Sequence, residues 1–350
     1  MKPSLVPLLA CPQCKKQFDL LATKEVEGEV MEGTLSCIKG HKYPVQRGVP
    51  RLFDEKGLSD LQIQTKNSFD EKWKTVTRYR EDTSAFYQQW YLDRYGFGTL
   101  GALRNFLKDT RTILDAGTGL GRDAEMYARN STAQVIALDL SYGIEQTYKD
   151  LGHLPNLHLV QADLTSPPIP EGSIDFLACD QVIHHTPDIR ESFKALARLV
   201  RKGGYCAVYV YRIKGPIREF CDDYIRRYST EMDSSECFEL SEAITQLGKT
   251  LAELNIEVDI PKDIPVLGIK AGRHNLQRFF HWHIMKCFWN EEFEYLSNVM
   301  INYDWYHPKL AHRHPPEEVR KWVEEEGFAI VYLDVIEAGT SILARKPSPD

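Results

Sequence analysis

The run Thr112-Ile113-Leu114-Asp115-Ala116-Gly117-Thr118-Gly119-Leu120-Gly121-Arg122 limits what this chain can fold into more than any other stretch. An apolar strand ends in an acid and turns through three alternate glycines into a helix beginning at Gly121. Glycine at such a turn lets the backbone approach a ligand where a Cβ would collide with it. About twenty residues on, a second apolar strand over 134–138 ends at Asp139, the place where a nucleotide-binding α/β unit puts the carboxylate that holds a ribose. The expected fold is α/β, with a doubly wound sheet and a ligand at the carboxyl ends of its strands.

Asp115-x-Gly117-x-Gly119-x-Gly121 resembles the first motif of the class I S-adenosylmethionine (SAM) methyltransferases and not the G-x-G-x-x-G spacing of dinucleotide dehydrogenases. Three further pieces follow in that family's order. A strand over 157–162 is closed by Asp163-Leu164. A strand over 173–179 is closed by Asp180-Gln181-Val182-Ile183-His184-His185-Thr186-Pro187-Asp188, similar to the fourth motif of small-molecule members. Arg201-Lys202-Gly203-Gly204 launches a fifth strand over 205–211. The resemblance implies a seven-stranded Rossmann-like sheet, mostly parallel with the last strand antiparallel, and SAM as cofactor. It also places the amino-acid end of SAM at the glycine turn, near the positive end of the following helix. Asp139, with Leu140 beside it, is then expected to hold the ribose, Asp163 and Leu164 the adenine, and Asp180 and Gln181 to face the methyl group.

Residues 1–53 read as a separate small unit. Cys11-Pro12-Gln13-Cys14 is one close pair of metal-ligating residues, and Cys37 with His41 is another after a hairpin-length insert. That spacing suits a tetrahedral structural zinc site held by Cys11, Cys14, Cys37 and His41. A unit of this size buries too little apolar surface to stand without a staple. Its flanks resemble the short bacterial zinc-ribbon proteins that partner or precede methyltransferases; many of those carry a second Cys-x-x-Cys where this chain has Cys-x-x-x-His.

Residues 54–110 are polar with aromatic punctuation and are expected to form a linker and lid helices. Phe69 and Trp73, like Phe86 and Trp90, stand at i,i+4 helical spacing. The SAM-binding unit spans 111–211 and 316–346, closed by a helix over 316–326 and strands over 329–336 and 340–345. Between these parts, 212–315 is expected to be a mainly helical cap over the substrate. Residues 276–288 repeat apolar side chains at helical spacing, which predicts one helix across that range. The segment 302–308, with His312-Arg313-His314-Pro315 after it, shows no periodicity and reads as a loop. Asp304, His307, His312 and His314 in that segment, together with His184 and His185, are the candidate catalytic groups, because a neutral histidine suits proton removal from a methyl acceptor.

The chain has 350 residues and a formal charge of −7. That balance offers no bulk attraction to nucleic acid or an anionic membrane, and 212–315 carries more acids than bases with no basic stripe. No apolar run is long enough to span a bilayer. Eight cysteines without a secretory signal point to a reducing, cytoplasmic setting. The expected activity is SAM-dependent methyl transfer to a small molecule enclosed by the cap. Two alternatives stay open: an RNA- or protein-modifying enzyme that uses the ribbon for recognition, and a SAM-binding protein without catalysis.

Overall fold

The computed structural model describes residues 1–76 and 78–348. The N-terminal part is a four-stranded meander, β1 (Phe18–Val26), β2 (Glu29–Cys37), β3 (Lys42–Gln46) and β4 (Val49–Leu52). Three helices follow, α1 (Asp60–Thr75), α2 (Tyr79–Arg94) and α3 (Leu100–Phe106). Ser59 caps α1 in a capping box with Gln62, satisfying amide groups that the first turn leaves bare. Alternating strands and helices come next: β5 (Thr112–Ala116), α4 (Arg122–Asn130), β6 (Gln134–Asp139), α5 (Gly143–Leu151), β7 (Leu157–Ala162), β8 (Ile174–Cys179), α6 (Ile189–Ala197) and β9 (Val200–Tyr211). The cap holds α7 (Pro216–Ser229), α8 (Ser234–Glu253), the hairpin β10 (Glu257–Ile260) and β11 (Gly272–Asn275), then α9 (Leu276–His283) and α10 (Tyr295–Tyr306). The chain ends on α11 (Pro316–Glu325), β12 (Ala329–Val335) and β13 (Gly339–Arg345).

The main sheet has eleven strands in the order β1-β2-β3-β4-β7-β6-β5-β8-β9-β13-β12. The expectation of seven applies to the α/β unit alone, and the sheet is longer because four strands of the N-terminal unit join it. The last seven in that order are the α/β strands, parallel from β7 to β9, with β13 antiparallel to β9. The other four belong to the N-terminal unit, whose β4 lies parallel to β7 through Arg51↔Gln161 and Leu52↔Ala162. Arg51 secures the seam by donating to Gln161 Oε1 and to Glu145 Oε1, each at 2.9 Å. One hydrophobic core runs from Leu5, Leu9, Leu35 and Val45 through Ile136, Val160 and Leu177 to Phe193 and Trp322. The ribbon therefore shares its core with the enzyme-like sheet, which gains apolar burial that neither part has alone.

Two local expectations are corrected. The helix predicted over 276–288 stops at His283. Side chains capture the next backbone amides: Lys286 N–H donates to Asp222, Cys287 N–H to His281 Nδ1 and Phe288 N–H to Asn302 Oδ1. The segment predicted as a loop from 302 is the end of α10. Nine of the residues in α10 are buried, so it is enclosed on every side and shows no polar face from which a period could be read. It ends at Tyr306, before Pro308, as the steric demand of a proline requires.

Candidate active site

The glycine turn is built as its sequence demands. Gly117, Gly119 and Gly121 have φ of +92°, +54° and +81°, where a side chain is strained. A Cβ on Gly117 would lie 2.2 Å from Val182, and one on Gly121 would lie 2.5 Å from Thr147. Gly121 caps α4, so the turn faces that helix's positive end.

A single cavity opens at the carboxyl ends of β5, β6, β7 and β8. It brings together Asp115, Gly117, Gly119, Asp139, Leu140, Asp163, Leu164, Asp180 and Gln181. Gly121 stands one turn behind, outside its lining. Asp139 accepts from Gly119 N–H at 2.7 Å and from Ser141 N–H at 2.7 Å and Oγ at 2.6 Å. Its burial pushes its pKa up against those bonds. Asp163 accepts from Gln62 Nε2 at 3.1 Å and from Thr165. Asp115 is buried with Oδ2 unpartnered; burial and then the charge of Asp123 lift its carboxyl to about 8. Asp180 pairs with the buried guanidinium of Arg94 and accepts from Tyr95 OH at 2.8 Å. Burial raises its pKa, with Arg94 opposing. Gln181, next in chain, holds a left-handed φ of +59° and turns into the cavity, a local strain typical of functional sites.

The other wall comes from the lid and the cap. Helix α1 contributes Thr65, Phe69, Lys72 and Trp73, helix α2 contributes Tyr79 and Tyr87, strand β9 contributes Tyr211, and α10 contributes Asp304. Lys72 Nζ donates to Asp304 Oδ2 at 2.5 Å and lies over the rings of Trp73 and Tyr79 at 4.6 and 4.7 Å. Lys286 approaches the other Asp304 oxygen at 3.7 Å. His185 also lines the cavity. Its Nδ1 sits 2.6 Å from Leu310 O, so that nitrogen carries the proton and Nε2 keeps its lone pair. Burial drives the His185 pKa down to about 4, with the Leu310 carbonyl opposing.

Four of the six predicted catalytic groups lie elsewhere. His184 is fully buried behind the cavity, stacked on Tyr211 with ring centroids 3.5 Å apart. His307, just past the end of α10, faces Met232 O at 3.2 Å. His312 and His314 flank a separate groove with Asp188, Trp322 and Glu318, and His314 Nδ1 meets Glu318 at 2.8 Å. The expectation that the histidine-rich segment converges on one mouth is therefore corrected: only Asp304 of it reaches the cavity. The physical cause is where α10 stops: Asp304 lies inside the helix, whereas His307 is its C-cap, where the ring meets the Met232 carbonyl, and His312 and His314 follow beyond it. Lys72 and Tyr211 carry no sequence signal, because a lysine or tyrosine in an amphipathic helix or strand has no distinguishing spacing, whereas Tyr79 and Tyr87 stand among the aromatics of the expected lid segment.

In the N-terminal unit, the ligand atoms of Cys11, Cys14, Cys37 and His41 all lie within 4.8 Å of one another. His41 Nδ1 is 3.3 Å from Cys11 Sγ and 3.4 Å from Cys37 Sγ, and Cys14 and Cys37 Sγ are 3.6 Å apart. A tetrahedral zinc with bonds of about 2.3 Å to sulfur and about 2.0 Å to nitrogen sets ligand separations of roughly 3.5–3.8 Å, so the donor set fits that ion. All four positions are filled by protein atoms, which suits a structural ion.

Fold and cavity together define an α/β domain with a cavity across the carboxyl ends of its parallel strands, walled on the other side by α1, α2, β9 and α10. Residues 114–208 match the family described as "Methyltransferase domain", and this part of the chain is a SAM-dependent methyltransferase domain. A malonyl-[acyl-carrier protein] O-methyltransferase of Legionella pneumophila is 33% identical over 96 residues, which is 27% of this chain and 34% of that enzyme. A probable S-adenosylmethionine-dependent methyltransferase of Mycobacterium tuberculosis is 33% identical over 98 residues, 28% of this chain and 35% of that protein. The chain thus spans about a third of the length of these relatives. Among solved structures, a SAM-dependent methyltransferase from Mesorhizobium loti is 15% identical with a TM-score of 0.42, covering 71% of this chain and 98% of that one. A complex between the Haloferax volcanii Trm112 methyltransferase activator and a methyltransferase is 11% identical with a TM-score of 0.41, covering 83% of this chain and 99% of that one. Among the described residues no helix is long and apolar enough to cross a membrane.

Proposed function

We propose that the whole chain is a SAM-dependent methyltransferase acting on a small molecule enclosed between α1 and α10. The observation that carries this reading is the shared cavity: the glycine turn, Asp139, Asp163 and the strained Gln181 open into the same space as Lys72, Asp304 and His185. The site fits SAM in one further respect. Asp115 presents a buried oxygen with no partner, a place for the methionine ammonium, since a buried carboxylate oxygen is costly until it meets a donor. When bound, SAM supplies a methyl group already activated by its positive sulfur. The chain's own residues then bind, orient and exclude water. Asp139 and Leu140 hold the ribose, Asp163 and Leu164 the adenine, and Asp180 positions Gln181 beside the methyl group. On the acceptor side, Lys72, His185 and Asp304 line the space that the bound molecule enters and orient it. Cys11, Cys14, Cys37 and His41 hold a structural zinc that ties the N-terminal turns together.

Calorimetric titration with SAM on the full chain and on Asp139→Ala tests the assignment. Wild type should bind in the micromolar range and the variant at least tenfold more weakly. Absence of binding by wild type would sink the methyltransferase reading, and equal binding by the variant would sink the ribose assignment.

A further inference from the structure

The two ends of the cavity carry opposite charge. At the end formed by β5 to β8, the carboxylates Asp123, Asp139, Asp163 and Asp180 outnumber the cations set among them, Arg94 and Arg122. An acidic surrounding suits a ligand bearing a sulfonium and an ammonium. At the lid-and-cap end the balance reverses. Asp304 is the acid of that wall, and two ammonium groups share it, Lys72 at 2.5 Å and Lys286 at 3.7 Å. Burial lowers Lys286 to about 8, with Asp304 opposing, so it stays charged near neutrality. Arg226 adds a third cation behind them. Its guanidinium donates to the carbonyls of Trp305, Pro308 and Lys309, and among the described residues no carboxylate stands within ion-pair distance of it.

The walls around this positive charge are flat rings. Phe69 stacks near Trp73 with centroids 6.3 Å apart, Trp73 leans on Tyr79 at 5.8 Å, and Tyr211 closes the opposite side. Proton acceptors are poor here. The Asp304 oxygens already engage two ammonium groups, and burial disfavours the protonated form of His185. A site of this kind is ill suited to pulling a proton from an alcohol or an ammonium group. It is suited to holding a nucleophile that is already an anion.

Resting on the methyltransferase reading, we infer that the acceptor is a small planar acid that arrives as its oxygen anion, a carboxylate or an ionised phenol, held by Lys72 between aromatic walls. The acceptor oxygen forms the new C–O bond as the C–S bond breaks, the bonding pair leaves on sulfur, and no proton is released. Lys72 is then an acceptor-binding residue, and Lys286 a positioning residue that acts through Asp304 by freeing Lys72 to turn toward the incoming anion.

Binding distinguishes this from the alternatives without any need for turnover. The full chain, saturated with S-adenosylhomocysteine, is titrated with benzoate, 4-nitrophenolate, neutral benzamide and benzylammonium, reading heat and the intrinsic tryptophan fluorescence to which Trp73 contributes. At least one of the two anions should bind tenfold or more tightly than benzamide and benzylammonium, and which one does so tells carboxylate from phenolate. Lys72→Met should erase that preference and Lys72→Arg should keep it, with S-adenosylhomocysteine affinity within threefold of wild type in both. If Lys72→Met fails to bind S-adenosylhomocysteine, Lys286→Gln decides, with a threefold or greater loss confined to the anions. Tighter binding of benzylammonium, equal binding of all four probes or binding of none overturns the inference. Failure of S-adenosylhomocysteine itself to bind wild type overturns the methyltransferase reading instead.

Discussion

Replacing Arg94 should destabilise this protein more than most single substitutions, and the structure says by how much. Its side chain is 0% exposed and that of its partner Asp180 is 1% exposed. The guanidinium lies 3.8 Å from the Trp90 ring and 4.9 Å from the Tyr209 ring, so aromatic faces take the place of water around the cation. Arg94→Met keeps the volume but leaves Asp180 with only the Tyr95 hydroxyl at 2.8 Å and the adjacent Gln181 amide at 3.2 Å. Stripping one partner from a buried pair costs about 3–5 kcal/mol. At about 2.1 cal/mol/K of unfolding entropy per residue, each kcal/mol moves the melting temperature of a 350-residue chain by about 1–2 °C, so scanning calorimetry should show a fall of about 4–7 °C. Asp180→Asn alone should also destabilise, by orphaning the guanidinium. The double variant Arg94→Met/Asp180→Asn removes both charges and should recover at least half of the summed loss, since a buried pair is often replaceable by neutral groups. A fall under 3 °C for Arg94→Met, or a double variant no better than additive, would refute the claim that this pair is mutually dependent.

Three further outcomes follow from the geometry. Cys14→Ser should release one zinc per chain by elemental analysis and lower the melting temperature of the whole protein, because β4 is joined to β7 and metal-binding energy is folding energy; zinc at full stoichiometry in the variant would exclude the site. Gly117→Ala places a methyl 2.2 Å from Val182 at a φ of +92°, so SAM affinity measured by calorimetry should fall at least tenfold, an effect of about 1–3 kcal/mol. His185 has a folded pKa of about 4 against about 6.5 unfolded, so wild type loses stability relative to His185→Gln as pH falls from 6.5 to 4, by at most about 2 kcal/mol given that the ring edge opens to the cavity. A melting-temperature difference between the two proteins that stays constant from pH 7 to 4.5 would contradict that shift.

What could be read from the sequence was whatever had a fixed spacing imposed by chemistry. Three alternate glycines after a buried acid leave few conformations open, and the strand ends at Asp139, Asp163 and Asp180 follow from apolar runs that stop at a carboxylate. The Cys11, Cys14, Cys37 and His41 positions, which the structure brings together, are of the same kind, since a tetrahedral ion would dictate where its donors stand. The cap was legible only as a cap. Helix α10 is buried on all sides, and a helix without a polar face has no period to betray it, so its last residues and the histidines after it read as a loop converging on the cofactor. Asn302 shows what the sequence hides: its amide bonds Phe288 and Thr245, contacts from two segments distant in sequence that no local pattern announces.

The join between β4 and β7 was hidden for the same reason and changes how the N-terminal unit is understood. Val49–Leu52 is a four-residue strand buried throughout, and nothing in four residues says which sheet they complete. Once paired, they carry Arg51 to Glu145 at the head of α5. The loop before that helix holds Asp139 through Ser141, and α5 itself supports the glycine turn through Thr147, whose hydroxyl donates to Gly119 O at 2.8 Å. A continuous set of contacts therefore runs from the ribbon to the cofactor loop: β4, Arg51, Glu145, α5, Thr147, Gly119. Loss of zinc should loosen the far end of that chain, and Arg51→Met should reproduce the effect with the metal still bound. Both should weaken SAM binding by roughly threefold to tenfold, the 0.5–1.5 kcal/mol that one supporting polar contact contributes. If Arg51→Met leaves SAM affinity unchanged while β4 remains protected from hydrogen exchange, the ribbon stabilises the sheet without bearing on the site.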